Sequence, residues 1–341
     1  MKILKLSDFE ENKFTKEEIL NFFNSTVVIP TETVYGLAGR IDNDNILKEI
    51  YMIKNRPSNN PLIVHVSNRK MLGQIVKGDI CKEYHILMDK FWPGPLTLIY
   101  NAKEEVSNIV KGNSLNTVAV RMPQTKGVLN IIDTLGVPLA APSANTSGRP
   151  SPTECKHAIN DFKERVKTYI DGGKCSFGLE STVFMRSNGK NYILRPGSIT
   201  KEEIENVLGE KVEVKPKCDD TKIICPGSKY THYSPKIPLY LFKGANWYDL
   251  MKEEMKKLND KKVGILLEEK KFKKAVNSFN DSHIIVYCLG GDLKECAAKL
   301  FYSLLALENE VDIIFTCDFK RSGEGEALMD RIEKASLKTF E

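Results

Sequence analysis

Residues 27–37 read Val27-Val28-Ile29-Pro30-Thr31-Glu32-Thr33-Val34-Tyr35-Gly36-Leu37, and this stretch is the most informative of the chain. The β-branched run Val27–Pro30 predicts a buried strand, after which the chain becomes polar at once. Ligands of open α/β sheets gather at the carboxyl ends of strands, where hydroxyls and a glycine suit a small polar ligand held against backbone. A strand-to-helix turn whose threonines cap a helix is the alternative, and this segment alone leaves both open.

Working outward, short β-branched runs alternate with amphipathic segments up to about residue 208, which predicts an α/β domain over residues 1–208. The predicted strands are Val27–Pro30, Leu62–Val66, Leu96–Tyr100, Thr117–Arg121, Thr168–Asp171, Thr182–Met185 and Tyr192–Arg195. The predicted helices are Lys16–Phe23, Asn45–Lys54, Ile80–Lys90 and Gly127–Leu135.

Residues 209–237 are polar, proline-containing and without helical period, so we expect a long linker there. Residues 238–341 again alternate strands with helices, which predicts a small Rossmann-like module with a parallel sheet. Its predicted strands are Leu239–Phe242, Val263–Leu267, His283–Tyr287 and Val311–Thr316, and its clearest helices are Leu293–Leu307 and Glu326–Lys338. No G-x-G-x-x-G follows the first of these strands, so a dinucleotide is not implied.

Composition excludes several classes of protein. The chain has 341 residues, of which 41% are hydrophobic and 28% charged, values typical of globular proteins and long enough for two domains. Its apolar stretches are far shorter than the roughly 20 residues that span a bilayer, and we expect no secretory signal and a cytoplasmic location. The net charge of +5 permits an anionic ligand but is modest for a dedicated nucleic-acid binder.

Metal, disulfide and standard nucleotide signatures are missing. The eight cysteines form no C-x-x-C pair and the five histidines no H-E-x-x-H, so we expect reduced cysteines and no metal held by the protein. There is no P-loop, no kinase motif set and no G-x-S-x-G. If the protein uses ATP, it binds it on another scaffold.

A cation pair closes the predicted helix Asn45–Lys54. Lys54 and Arg56 precede Pro57, where a frayed helix end would let both reach one ligand. A lysine point charge beside an arginine fork suits phosphate oxygens, although two solvated surface cations are the simpler alternative. His65 ends the next strand, a position where a satisfied core histidine is more common than a ligand.

Other predicted strands also end in cationic side chains, hydroxyl groups or glycines. Arg121 ends an apolar strand and must face either solvent or an anionic site. Residues 142–153 form a hydroxyl-rich loop that suits oxyanions, with a plain Ser/Pro loop as the alternative. Residues 171–173, 178–183 and 194–197 place further glycines, hydroxyls and Arg195 at strand margins. Together these segments predict a concave, cation-lined cavity for a polyphosphate and a small zwitterion.

In order and spacing, PTETVYGL, KNRP with NPL, FWPGPLT, VAVRMP, APSANTSGRPSPT, DGG with GLESTV, and LRPGSI resemble the YrdC-type threonylcarbamoyl-AMP synthase family. The linker CPGSKYTHYSP and the C-terminal module are similar to those of its longer members. The resemblance implies a YrdC-like twisted mixed sheet whose helices form a concave basic cavity. It also implies the reaction: threonine and bicarbonate or CO2 form a carbamate, which attacks the α-phosphate of ATP and expels pyrophosphate. The product, threonylcarbamoyl-AMP, supplies a separate transferase that modifies tRNA.

The resemblance also assigns site residues. It implies that Lys54 and Arg56 are catalytic and that Mg2+ accompanies ATP. The implied ATP-binding residues are Lys54, Arg56, Asn60, Thr117, Ser143, Asn145, Ser151, Arg195, His232 and Tyr233. The implied threonine-binding residues are Thr33, His65, Arg121, the backbone at Ala141, and Ser181. Glu32 and Glu180 are expected only to orient their neighbours.

Two other functions compete with this one. The first is a module that grips double-stranded RNA or tRNA, although serines, threonines and asparagines, not stacking aromatics, lie among the cations. The second is an enzyme that handles carbamoyl phosphate, which would consume that compound without threonine.

Overall fold

The computed structural model describes residues 1–113, 115–214, 232–258, 260–276, 278–279 and 282–341. These residues form two compact units. The first contains residues 1–147, 151–176 and 180–214, and the second contains residues 148–150, 177–179 and 232–341. Most of the predicted linker, residues 215–231, lies outside the described residues.

The first unit is built on one mixed sheet. Its strands are β1 (Lys2–Lys5), β2 (Val27–Ile29), β3 (Gly36–Arg40), β4 (Ile63–His65), β5 (Leu96–Asn101), β6 (Thr117–Arg121), β7 (Leu139–Ala140), β8 (Thr168–Asp171), β9 (Thr182–Ser187), β10 (Lys190–Arg195) and β11 (Val212–Val214). They lie in the order β1-β8-β2-β3-β7-β4-β6-β5-β9-β10-β11. The pairings are partly parallel, as in β4 with β6, and partly antiparallel, as in β5 with β6.

Within the described part of the first unit, seven helices accompany this sheet: α1 (Leu6–Glu10), α2 (Lys16–Phe22), α3 (Asp44–Lys54), α4 (Lys82–Phe91), α5 (Lys126–Leu135), α6 (Cys155–Phe162) and α7 (Lys201–Leu208). Two 3-10 turns, Arg69–Gln74 and Lys163–Arg165, complete the unit. Apolar side chains from the strands and from one face of each longer helix form a large buried core, which fixes the strand ends that carry the candidate site. A second, smaller apolar cluster of the same unit contains Ile63, Ile99, Ala119, Val183 and Leu194.

All seven strands and all four helices predicted for the first domain are confirmed, with ends that differ by a few residues. The helix-capping alternative for residues 30–35 is wrong, because this loop leads from β2 into the antiparallel strand β3 and not into a helix. The strand β11 lies inside the segment predicted as linker and pairs in parallel with β10.

The end of α3 determines where its last lysine points. Asn43 caps the start of the helix, since its side chain accepts the backbone N–H of Asn45 and Ile46. The helix ends at Lys54, and Asn55 adopts the left-handed conformation with φ 49° and ψ 47°. Asparagine tolerates this region better than most residues, so the chain turns sharply between Lys54 and Arg56.

The second unit contains a five-stranded sheet in which every pairing is parallel. Its strands are β12 (Leu239–Phe242), β13 (Val263–Glu268), β14 (Ile284–Gly290), β15 (Ile313–Cys317) and β16 (Lys338–Phe340), in the order β14-β13-β15-β12-β16. Its helices are α8 (Trp247–Met255), α9 (Glu269–Val276), α10 (Leu293–Leu307) and α11 (Glu324–Ala335).

The four predicted strands of this module are confirmed, but the predicted helix Glu326–Lys338 runs too far. The helix α11 ends at Ala335, and the N–H of Leu337 donates to Leu239 O at 2.9 Å. The chain therefore joins the sheet edge as β16, because pairing with β12 satisfies backbone groups that the helical pattern of the sequence could not anticipate.

None of the helices that the structure describes is both long and apolar enough to cross a membrane. Six cysteines are described and all are free thiols, as expected. Cys218 and Cys225 lie outside the described residues.

Candidate functional site

The loop after β2 is held by a threonine turn. Thr31 Oγ1 accepts the backbone N–H of Thr33 at 3.2 Å and of Val34 at 3.3 Å, and it donates to Val34 O at 2.6 Å. Hydroxyl groups that bond to nearby backbone in this way stabilise turns. The turn fixes Glu32 and Thr33 at the end of a buried strand.

The glycine pair after β8 braces this loop. The Tyr35 hydroxyl accepts the N–H of Gly172 at 3.0 Å and donates to Gly173 O at 2.6 Å. The Tyr35 side chain is fully buried, and burial raises the pKa of its hydroxyl, so the phenol stays protonated. Within the described residues, Asp171-Gly172-Gly173 therefore contributes support for the loop.

Arg121 lies at the centre of a buried polar group. Its guanidinium donates to Glu32 Oε1 at 2.5 Å, to Thr33 Oγ1 at 2.8 Å and to Gly94 O at 3.2 Å. Its side chain is 5% exposed and that of Glu32 is 6% exposed. Arg121 therefore does not face bulk solvent, and the anionic group that it meets is the carboxylate of Glu32.

Three strands place the partners of Arg121 in one row. His65 of β4 and Thr97 of β5 are the register partners of Arg121 on either side. Side chains in register on neighbouring strands share a face of the sheet. We call Glu32, Thr33, His65, Thr97, Arg121 and Ser181 the arginine cluster.

His65 is neutral. Burial, with a contribution from the nearby Arg121 charge, lowers the pKa of its imidazole to about 3. Its Nδ1 is buried and has no hydrogen-bond partner among the described residues. The core-histidine interpretation is therefore incomplete, because a satisfied core histidine would use both ring nitrogens.

Ser181 connects the arginine cluster with Arg195. Its hydroxyl lies 2.7 Å from Thr97 Oγ1, and Arg195 Nη2 donates to Ser181 O at 2.8 Å and to Ser181 Oγ at 3.1 Å. Gly197 lets the following loop pack against this segment, since a Cβ there would lie 2.4 Å from Thr182 N. The buried Arg195 thus contacts a predicted threonine-binding residue, although it is predicted to bind ATP.

Lys54 is the centre of a second group. Its ammonium is buried and donates to the carbonyl oxygens of Asn145, at 2.5 Å, and Ser143. Burial and then the nearby Arg56 charge lower the pKa of Lys54, while Asp161 and Glu180 act in the opposite direction. The lysine is therefore not the solvated surface cation that the sequence left possible.

Arg56 closes the loop that follows it. Its guanidinium donates to Asn60 Oδ1 at 2.8 Å, to Asn60 O at 3.1 Å and to Pro61 O at 2.7 Å. Lys54 and Arg56 thus lie on opposite sides of the turn at Asn55, each bonded to a different loop. We call Lys54, Arg56, Asn60, Ser143 and Asn145 the lysine cluster.

The hydroxyl-rich loop connects the two clusters within the first unit. Ser143 bridges to Gly36, and the N–H of Ala144 donates to Tyr35 O at 2.7 Å. Both contacts lie directly after Thr33 in the chain. Ser151 Oγ donates to Glu180 Oε1 at 2.6 Å, which holds the far end of the loop beside Ser181.

Two predicted residues are less closely joined to these groups. The N–H of Ala141 already donates to Ile63 O at 3.0 Å, so its carbonyl is the backbone group left for a ligand. Thr117 begins β6 opposite Asn101, at the other end of that strand from Arg121.

His232 and Tyr233 lie in the second unit. Tyr233 is buried, with its ring 5.3 Å from that of Phe301 and the Arg331 guanidinium 5.5 Å from its centroid. His232 is half-buried beside it. The tyrosine is thus an anchored residue in this structure.

Two family models together match most of the chain. The family model of the Sua5, YciO and YrdC proteins, described as telomere recombination, matches residues 24–197. A second model, described as the C-terminal domain of threonylcarbamoyl-AMP synthase, matches residues 199–336. The chain belongs to the threonylcarbamoyl-AMP synthase family.

Relatives in this family match nearly the whole chain. A Bacillus subtilis protein named threonylcarbamoyl-AMP synthase is 39% identical, over 92% of this chain and 90% of its own. A protein of the same name from Pyrococcus abyssi is 37% identical over 91% and 90%. The crystal structure of P. abyssi Sua5 complexed with L-threonine matches with a TM-score of 0.87, 33% identity and full coverage of both chains. The mixed α/β architecture is therefore that of the Sua5 fold.

One residue of the arginine cluster of this synthase-family chain has no counterpart in the sequence-based set. Glu32 is expected only to orient its neighbours, and its ion pair with Arg121 agrees with that role. Thr97 is missed altogether, although it is a buried polar residue within the apolar strand β5. A polar side chain on the inward face of a strand was the available signal.

Proposed function

We propose that this protein makes threonylcarbamoyl-AMP and pyrophosphate from L-threonine, bicarbonate or CO2, and ATP. The observation that carries the proposal is the buried arginine cluster, which combines a cation, a neutral imidazole and hydroxyls in the same unit as the lysine cluster. The first group suits a hydroxy amino acid and the second suits phosphates. Membership in the synthase family supports the same reaction.

Threonine is proposed to bind at the arginine cluster. Arg121 would take its carboxylate, because a guanidinium forms paired charge-assisted bonds with that group. Thr33, His65, Ser181 and the Ala141 carbonyl would contact the rest of the molecule. The neutral state of His65 suits a hydroxyl, since an uncharged imidazole can accept or donate one hydrogen bond.

ATP is proposed to bind at the lysine cluster. Lys54, Arg56 and Arg195 would neutralise phosphate charge. Asn60, Thr117, Ser143, Asn145, Ser151, His232 and Tyr233 would add further contacts to the nucleotide. Phosphoryl and nucleotidyl transfer needs mainly positioning and charge neutralisation from the protein, which these side chains can supply. Together the clusters would form the concave basic cavity expected from the sequence.

The chemistry balances with these substrates. The threonine amine and bicarbonate form a carbamate and water, and a carbamate oxygen then attacks the α-phosphorus as the bond to pyrophosphate breaks. Carbamates decompose in water, so a buried amino-acid site protects the intermediate. Within the described residues no three His, Cys, Asp or Glu side chains form a metal site. Mg2+ would enter the reaction with ATP, as part of the Mg-ATP substrate.

The proposal also includes the fate of the product and the organisation of the chain into domains. The product would pass to a separate transferase that modifies tRNA, in the cytoplasm. Residues 1–208 would form the catalytic domain, residues 209–237 the linker and residues 238–341 a Rossmann-like module. The all-parallel sheet of the second unit supports the last of these.

A pyrophosphate-release assay tests the function directly. Release should require threonine, bicarbonate and ATP together, and omission of any one should abolish it. Consumption of carbamoyl phosphate without threonine would instead favour the carbamoyl-handling alternative. A salt-sensitive gel shift with tRNA and no nucleotide turnover would favour the RNA-binding alternative.

A further inference from the structure

Only one of the two carboxylate oxygens of Glu32 has a hydrogen-bond partner among the described residues. Its Oε1 accepts the bond from Arg121 at 2.5 Å, while its Oε2 is buried and has no hydrogen-bond partner among the described residues. A buried carboxylate oxygen without a partner loses its hydration, so such atoms call for an explanation.

Another arginine–carboxylate pair of the same unit, Arg40 with Asp42, is bonded differently. Arg40 donates from Nε to Asp42 Oδ1 at 3.0 Å and from Nη2 to Asp42 Oδ2 at 2.6 Å, so both carboxylate oxygens are used. This two-bond arrangement is the strong form of an arginine–carboxylate pair. At Arg121, Nη2 alone bonds to Glu32, while Nε donates to Gly94 O and Nη1 donates to Thr33 Oγ1.

Arg121 also has N–H groups that no acceptor among the described residues uses. A guanidinium has five N–H groups, and three bonds from Arg121 lie within the described residues. One N–H on each terminal nitrogen therefore remains available to a further acceptor. The unused Nδ1 of His65 lies on the neighbouring strand, in register with Arg121.

The unused groups match one class of ligand. Two guanidinium N–H groups require a carboxylate, a carboxylate oxygen requires a donor that is preferably cationic, and a neutral imidazole nitrogen suits a hydroxyl. An α-amino acid with a β-hydroxyl group carries all three. Its ammonium would balance the charge of Glu32 while its carboxylate meets Arg121, so no net charge is added to the buried site.

We propose that Glu32 Oε2 binds the amino group of the substrate amino acid, an inference that rests on the proposed function. Glu32 is then a substrate-binding residue and not only a support for Arg121. It selects amino acids over hydroxy acids and holds the nitrogen that becomes carbamoylated.

The test compares two ligands on two proteins without ATP. L-threonine and (R)-3-hydroxybutyrate share a carboxylate and a hydroxyl, and only threonine has the amine. We expect Glu32→Gln to weaken threonine binding about tenfold or more, as measured by calorimetry, and to change the affinity for 3-hydroxybutyrate less than twofold. The matched control is Glu49→Gln, a half-buried carboxylate bonded to Ser25 and Thr26, which should change neither affinity.

Each other outcome overturns the inference. Equal weakening of both ligands would mean that Glu32 acts only through Arg121, and unchanged threonine binding would mean that it does not contact substrate. If Glu32→Gln does not fold, the wild-type protein decides alone: 3-hydroxybutyrate binding as tightly as threonine would exclude recognition of the amine. A wild-type protein that binds no threonine and releases no pyrophosphate would overturn the proposed function itself.

Discussion

Arg121 and Lys54 are both buried cations, but Arg121 is held mainly by side chains, with one bond to Gly94 O, and Lys54 by backbone carbonyls. Arg121 faces the full negative charge of Glu32, on strands whose register fixes its neighbours. Lys54 faces the oxygens of Ser143 and Asn145, which carry only partial charges and belong to a loop. The cost of burying the charge is therefore offset at Arg121 and only partly offset at Lys54, where the pKa is lowered.

This difference indicates how each cluster would meet its ligand. The arginine cluster is preorganised, since its charge is balanced before any substrate arrives and unused hydrogen-bonding groups remain. The proposed ligand would complete the lysine cluster, because a phosphate would supply the formal negative charge that the carbonyls lack. Variants in the arginine cluster and in the lysine cluster test this difference, and the largest effect is expected at Arg121.

Arg121→Met should have the largest effect. It leaves Glu32 buried without its cation, so we expect a loss of about 3–5 kcal/mol in the free energy of unfolding and no threonine-dependent pyrophosphate release. Urea titration and the release assay measure these two quantities. The double variant Arg121→Met with Glu32→Gln should regain much of the stability and none of the activity. A single variant as stable as the wild type would contradict the ion-pair account.

Lys54→Ala and Arg56→Ala should each lower the rate with ATP about ten- to a hundredfold, because a charge-assisted bond is worth roughly 1.5–3 kcal/mol. Circular dichroism should barely change. Arg69→Ala is the control, since that arginine forms an exposed pair with Asp89 outside both clusters. Full activity of either cluster variant would remove these cations from the phosphate site.

His65→Asn should alter the acid sensitivity of folding. The folded-state pKa of about 3 lies below the unfolded value of 6.5, so the unfolded chain binds more protons between these values. The His65 contribution to stability is thus complete above pH 6.5 and is lost as the pH falls toward 3. Between pH 7 and pH 5 the wild type should lose about 2 kcal/mol that the variant does not lose.

Urea midpoints at the two pH values provide this measurement, with the exposed His85→Asn as the control. If the wild type and His65→Asn lose stability equally over this range, His65 is not held neutral by burial, and the preorganised description of the arginine cluster fails at that strand.

Thr97→Val should have the smallest effect. It removes the hydroxyl that bonds to Ser181, worth about 0.5–1.5 kcal/mol, and should raise the KM for threonine about two- to tenfold without changing that for ATP. Steady-state kinetics separate the two substrates. Thr316→Val is the control, a buried strand threonine of the second unit with one bond to Leu266 O. An equal change in both KM values would place Thr97 between the clusters rather than within the first.

The sequence predicted much of this arrangement because strand patterns and motif order are local signals. Every predicted strand of the first domain is present, and two of the residues predicted at strand ends, Thr33 and Arg121, are in direct contact. The partners could not be predicted, because the pairing of Glu32 with Arg121 joins residues far apart in the chain. The strand β3 was also missed, since Gly36 and Gly39 weaken its β pattern, and only its neighbours in the sheet stabilise it.

The left-handed turn that ends α3 places Lys54 at the carboxyl terminus of that helix. This terminus carries the negative end of the helix dipole, whereas many nucleotide-binding folds present the positive, amino-terminal end of a helix to phosphate. Phosphate recognition at Lys54 and Arg56 would thus gain nothing from the dipole of α3 and would depend mainly on side-chain charge, with hydrogen bonds from the neighbouring loops. Such binding should weaken steeply as ionic strength rises, more than in a protein that cradles phosphate with backbone amides.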